Sequence, residues 1–316
     1  MLKSIQIEGF RGIRTGKLEG LSRINILIGP NGCGKSTILE AIHITAASWF
    51  RHDVINEERI SNLRKRRNEK NFSGWSFKHL YQTPVVITLS IGGANIPYKV
   101  TISPNGNSLS HDPAALENNS PPHEFLRKLL FLDAPRALSN IVENQLWKEA
   151  FLLGAHNDLM ALFEKIYGRR VRNLTFTLDG DLLVDIEPVP LRLDDLGGGM
   201  RIAFRLLLAA LMTGGSALLL EEFDAYQYKT SLEKLAEALC DIADRRDVQL
   251  FMTTHSLESV HAFLTAAAPR ADDWIKVFPL SLDAEGELRT RGMPRSDALG
   301  LMAAGMDLRD LTSYAK

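Results

Sequence analysis

The chain has 316 residues, 45% of them apolar and 24% charged, with a net charge of −1 at pH 7 and a pI near 6.7. That balance describes a globular chain, long enough for about two ordinary domains or one large α/β domain with insertions. It excludes a globally basic nucleic-acid binder while leaving room for a local patch, and no apolar run approaches the ~20 residues of a membrane span. Two cysteines, Cys33 and Cys240, are too few for a disulfide framework and fit a reducing cytoplasm.

In chain order, Met1-Leu2-Lys3-Ser4-Ile5 already reads as a strand and not as a signal peptide. The block from Leu2 to Ile13 begins as an alternating strand and ends in a glycine-bounded loop. The run Ile24-Asn25-Ile26-Leu27-Ile28 predicts a buried strand, and a helix follows to about residue 50. Residues 51–80 read as irregular and partly basic around Arg64-Lys65-Arg66-Arg67. Strands are predicted at 85–91 and 98–102, joined through Gly92-Gly93, then a Pro-, Asn- and Ser-rich loop over 104–122. Spacing over 124–167 is mostly helical, broken at Pro135. A hairpin at 174–178 and 182–186 turns at Asp179-Gly180-Asp181. A helix over 200–212, a buried strand at 217–220, a helix at 230–245 and another buried strand at 248–253 follow. The chain closes with a helix at 257–266, a strand at 275–282, a turn at Glu285-Gly286 and a short helix.

Gly29-Pro30-Asn31-Gly32-Cys33-Gly34-Lys35-Ser36 reads G-x-x-x-x-G-K-S, the phosphate-binding P-loop, between a strand and a helix as that motif requires. Backbone N–H groups from Asn31 to Thr37, the helix dipole and the Lys35 charge would hold phosphate, and Ser36 would ligate Mg²⁺. Ala217-Leu218-Leu219-Leu220 ends in Glu221 and Glu222. Beside a P-loop strand, Glu221 is the candidate for the metal shell and Glu222 the candidate general base, against the plainer reading of two solvated acids. His255, after Leu250-Phe251-Met252-Thr253-Thr254, is placed to meet a γ-phosphate or the attacking water. Leu196-Gly197-Gly198-Gly199-Met200-Arg201 opens a helix and is either a second phosphate site or a plain helix-entry turn.

The order of these parts resembles the ABC-type ATPase heads of the SMC, RecF and OLD families. Ile7-Glu8-Gly9-Phe10-Arg11-Gly12-Ile13 is similar to their N-terminal strand and loop, 196–200 to a degenerate ABC signature, and Glu221-Glu222-Phe223-Asp224 to the Walker B segment of OLD-like ATPases. The resemblance implies a P-loop α/β fold with a mixed central sheet, helices on both faces and a helical insertion lobe. Residues 1–50 and 190–316 would form the ATP-binding core, and 51–189 the inserted strands and helical lobe.

It further implies an ATP-dependent homodimer in which the P-loop, Glu221, Glu222 and His255 of one copy face Gly198 and Gly199 of the other, with Arg11 as a phosphate contact. Glu221 stands where Asp is usual, and the Q-loop residue is either Gln82 or within Phe131-Leu132-Asp133-Ala134-Pro135-Arg136. Slow hydrolysis is therefore one expectation. About 60 residues follow His255, too few for a Toprim domain beside the final strands. By analogy the chain would be a cytoplasmic ATPase regulating a separate effector, such as a nuclease, in phage defence. A RecF-like DNA-repair clamp is the alternative, and a transporter ATPase subunit the third. The run at 64–67 reads better as a solvated loop than as a DNA contact.

Overall fold

Strand alternation decides which helices cover which side of the sheet. The computed structural model describes residues 1–66, 84–92, 98–102, 109–111, 121–186, 189–224 and 226–311. The chain opens with β1 (Leu2–Phe10), β2 (Ile13–Glu19), β3 (Ile24–Ile28), α1 (Lys35–Trp49), α2 (Arg59–Arg66), β4 (Val85–Ile91), β5 (Tyr98–Ile102) and β6 (Leu109–His111). Its middle holds α3 (Pro121–Lys128), β7 (Leu130–Leu132), α4 (Ala134–Leu138), α5 (Ile141–Leu152), α6 (Ala155–Tyr167), β8 (Val171–Phe176), β9 (Leu182–Ile186) and β10 (Val189–Arg192). It ends with α7 (Gly198–Met212), β11 (Ala217–Glu221), α8 (Lys229–Arg245), β12 (Gln249–Thr254), α9 (Leu257–Ala266), β13 (Ile275–Leu282), β14 (Glu287–Thr290), β15 (Met293–Pro294) and α10 (Arg295–Ala303).

One twelve-stranded sheet runs β6-β5-β4-β1-β2-β14-β13-β3-β12-β11-β7, with β15 on β13 beside that path. Strands β13, β3, β12, β11 and β7 are mutually parallel. Strands β2, β1, β4, β5 and β6 are antiparallel. β14 joins the limbs, parallel to β2 and antiparallel to β13. A parallel limb must be covered on both faces, because its crossovers run over them. Accordingly Ile24, Ile26, Leu218, Leu220, Leu250 and Met252 face one core, shared with α7, α8 and α9. Their neighbours Leu27, Leu219 and Phe251 face the other, shared with Ile38, Leu39 and Ile42 of α1. Each such side chain contributes about 1.5–3 kcal/mol by leaving water.

The structure departs from the sequence reading in places where local signal is weak. β2 follows the expected loop, because Thr15, Gly16 and Lys17 form a strand only by pairing with β1 and β14. β7 interrupts the helical stretch; three apolar residues are too few to distinguish a buried strand from a helix turn. Residues 51–80, read as irregular, contain α2, and the 104–122 loop contains β6. A third strand, β10, joins the predicted hairpin. Segment 51–189 supplies β4, β5, β6 and β7 to the main sheet as well as helices α4, α5 and α6. Residues 64–66 end α2, while Arg67, Gln82 and Gly93 lie outside the described residues.

Candidate nucleotide site

All the parallel strands deliver their C-terminal ends to one edge, where open α/β sheets bind ligands. Thr254 pairs with Ile28 and Glu221 with Thr253, so the P-loop, the two acids and His255 share that edge. Leu132 pairs with Leu220, which brings Asp133 level with Glu221.

The P-loop is built by backbone that other residues cannot copy. Gly29 has φ 152°, and a Cβ there would lie 2.6 Å from the Leu280 carbonyl oxygen. Gly34 caps α1 in the left-handed region, and the first helical bond runs from Ile38 N–H to its carbonyl at 3.0 Å. The N–H groups of Lys35, Ser36 and Thr37 therefore begin the helix without intrahelical partners, as an anion site requires. Lys35 Nζ donates to the carbonyls of Gly29 and Pro30, both at 2.8 Å. Burial lowers the Lys35 ammonium below its ordinary value, partly offset by Cys33, Glu222 and Glu221. Burial likewise raises the Cys33 thiol.

Glu222 follows β11 with φ 49°, a left-handed conformation for a non-glycine residue. Its N–H donates to the Thr253 carbonyl and to Thr253 Oγ1, each at 3.1 Å. These bonds fix the turn and leave the carboxylate largely exposed, 3.9 Å from His255 Nε2. Burial lowers the His255 pKa, as do Lys35 and Arg309, against the pull of Glu222 and Asp224. The ring therefore stays neutral to lower pH than a free histidine.

Asp224 was not singled out by the sequence. Its Oδ2 accepts from Thr254 Oγ1 at 2.7 Å and from Ser259 Oγ at 2.5 Å, tying the acid loop to the turn that carries His255. Ser256 caps α9 by accepting from Ser259 N–H. Arg309 donates to the His255 carbonyl at 3.2 Å. Sequence separation hid both contacts, and only an acid three residues beyond Glu221 hinted at the first.

Gly198 and Gly199 start α7 and abut the loop after the two acids. A Cβ on Gly199 would lie 2.5 Å from the Tyr226 carbonyl oxygen. The Gly199 carbonyl accepts from Gln227 Nε2 at 2.8 Å and from Tyr167 OH at 3.1 Å. Tyr226 has φ 67° and its ring is exposed. Below this turn Arg205 is fully buried, bonded to Glu143 at 2.7 and 2.5 Å and to Asp194 at 2.6 Å. It joins α7 to α5 and to the segment preceding the glycines.

Arg11, also left-handed, pairs with the buried Glu40 of α1 at 2.8 Å. Asp133 caps α4 by accepting from Arg136 N–H at 3.0 Å, and Arg136 binds Asp53 and Glu57 at 2.8 Å each. No group of three or more His, Cys, Asp or Glu side chains poised for a metal exists among the described residues. Mg²⁺ does not need one, since it keeps waters and takes one or two protein ligands plus substrate phosphates. The Ser36 hydroxyl and the Glu221 carboxylate fit that donor set.

The parallel P-loop sheet and its antiparallel limb have the P-loop ATPase fold seen in SMC heads, and stretches of the chain are similar to RecF and Rad50. An SMC head bound to the C-winged helix domain of ScpA superposes with a TM-score of 0.62 at 13% identity, over 94% of this chain and 99% of that one. The DNA replication and repair protein RecF of Lactococcus lactis is 30% identical over 105 residues, 33% of this chain and 25% of RecF. The Rad50 ATPase of Archaeoglobus fulgidus is 30% identical over 130 residues, 41% of this chain and 13% of Rad50. The chain thus spans a quarter or less of these curated relatives. Residues 1–85 match the AAA ATPase domain. Residues 103–260, half of the chain, match the family "AAA domain, putative AbiEii toxin, Type IV TA system", and the chain belongs to that family. Among the described residues no helix is long and apolar enough to cross a membrane.

Proposed function

We propose that this ATPase closes into a head-to-tail homodimer around two ATP molecules and releases it on hydrolysis. The observation that carries this reading is the shared sheet edge, where Lys35, Glu221, Glu222 and His255 converge. Asn31, Gly32, Cys33, Gly34, Lys35, Ser36 and Thr37 cradle the phosphates, and Arg11 adds a contact from its place beside α1. Ser36 and Glu221 would hold Mg²⁺, which shields phosphate charge when bound. Glu222 accepts a proton from the attacking water, and neutral His255 orients that water or the γ-phosphate. Gly198 and Gly199 of the partner subunit complete the site. Residues 1–50 and 190–316 form the ATP-binding core in this reading, with 51–189 as the inserted lobe.

The test is light scattering of Glu222→Gln with MgATP. A stable dimer is expected, and a variant that stays monomeric with bound ATP rejects the clamp.

The biological role we infer is an OLD-like regulator acting in the cytoplasm on a separate effector in phage defence. The family description, with its putative toxin and Type IV TA system, supports this reading. Affinity purification from the native host with MgATP should recover a stoichiometric effector, such as a Toprim-like nuclease. The RecF and Rad50 relatives support a second reading, a DNA-binding repair clamp. Recovery of DNA alone, with ATP-dependent and salt-sensitive binding, would select it.

A further inference from the structure

Away from the phosphate loop, β14, β15 and α10 enclose a cleft of about 440 Å³. Leu288, Met293, Leu301 and Leu311 give it an aliphatic floor, Arg289 and Arg291 line it as well, and among the described residues no acid lines it. The cleft exists because the ribbon is interrupted. β14 ends at Thr290, β15 starts at Met293, and Gly292 between them lies against the Phe278 ring. Thr290 Oγ1 in its wall is buried with no hydrogen-bond partner among the described residues. A buried hydroxyl without a partner costs free energy that a ligand can recover. Arg289 shares Asp283 at 3.3 Å but stays 53% exposed, and Arg291 is exposed with no ion pair among the described residues.

We propose that this cleft binds a short acidic and apolar segment of a partner protein. Aliphatic side chains fill the floor, carboxylates meet Arg289 and Arg291, and a polar group of the segment meets the Thr290 hydroxyl. Charge complementarity selects an acidic partner. Among the described residues that line the cleft there is no aromatic ring to stack a base, so aliphatic side chains fit it better than a nucleotide. The location makes such binding consequential. The Leu280 carbonyl presses on Gly29, and a Cβ on Gly34 would lie 3.6 Å from the Leu288 side chain, so the ribbon that forms the cleft also buttresses the P-loop.

The test is selection of a displayed random octapeptide library on the full chain, then fluorescence polarisation with the enriched peptide, labelled and synthetic. Peptides combining Leu or Ile with Asp or Glu are expected. Arg289→Glu with Arg291→Glu should weaken their binding at least about tenfold, and Leu301→Ser should weaken it with circular dichroism unchanged. Lys35→Ala should leave it intact, which separates this site from the nucleotide site. No enrichment, enrichment of basic peptides, or binding indifferent to both arginines overturns the proposal. Displacement by AMP that persists in Lys35→Ala also overturns it, in favour of a nucleoside subsite.

Discussion

At the residue scale, the P-loop lysine has its charge satisfied by two loop carbonyls, which a phosphate must replace. Lys35→Ala should abolish ATP binding, read by isothermal calorimetry, without unfolding the chain. His255 gives a pH test. Its folded pKa lies below the ordinary 6.5, so the unfolded chain binds the extra proton first as pH falls. Its contribution to stability is therefore present above 6.5 and lost progressively below it. Hydrolysis should keep its neutral imidazole to below that value, and His255→Asn should remove the corresponding acid limb of the rate profile. Gly199 is a packing test. A Cβ there meets backbone at 2.5 Å, whereas one on Gly198 comes no nearer than 3.7 Å, to the Tyr226 side chain. Gly199→Ala should cost about 1–3 kcal/mol in urea unfolding, as overpacking does, and Gly198→Ala much less.

At the element scale, α7 is held by a buried charge. Arg205 and Glu143 are almost solvent-free, and the pair also reaches Asp194 and the Ala137 carbonyl. Removing one partner strands the other in low dielectric. Arg205→Ala should destabilise by about 3–5 kcal/mol, whereas replacing Arg205 and Glu143 together by Met should recover most of that loss. Denaturant melts of the single and double variants measure it. The elements themselves differ in legibility. β11 is a continuous apolar run ending in acids, and β3 and β12 are largely aliphatic segments that lead into the P-loop and into Thr-Thr-His-Ser, so sequence showed them. β2 and β7 were hidden because their pairing energy comes from strands distant in the chain.

For the whole molecule, the proposed dimer couples two copies through nucleotide. If Glu222→Gln traps it, the ATP-bound dimer should persist at protein concentrations where the wild type, hydrolysing, returns to monomer. Mass photometry over a time course separates these outcomes. Two left-handed non-glycine residues, Glu222 and Tyr226, flank the loop that faces the α7 glycines. Such strain persists only where surroundings over-determine it, and here Thr253, Asp224 and Gln227 supply the restraint.

The sequence determined the P-loop, the acid pair at the end of β11, the histidine after β12 and the strand–helix order that orders them. These signals are local: a glycine loop needs its glycines in register, and a buried parallel strand needs a largely apolar run. Tertiary structure alone decided that Asp224 binds Thr254 and Ser259, that Arg11 turns onto Glu40, and that Arg205 sits beneath the α7 glycines. Each of those contacts joins residues about 30 or more positions apart, apart from the Arg205–Asp194 bond, and pays its loop-closure entropy through the packing of the whole sheet. No periodicity or spacing within one segment carries that information.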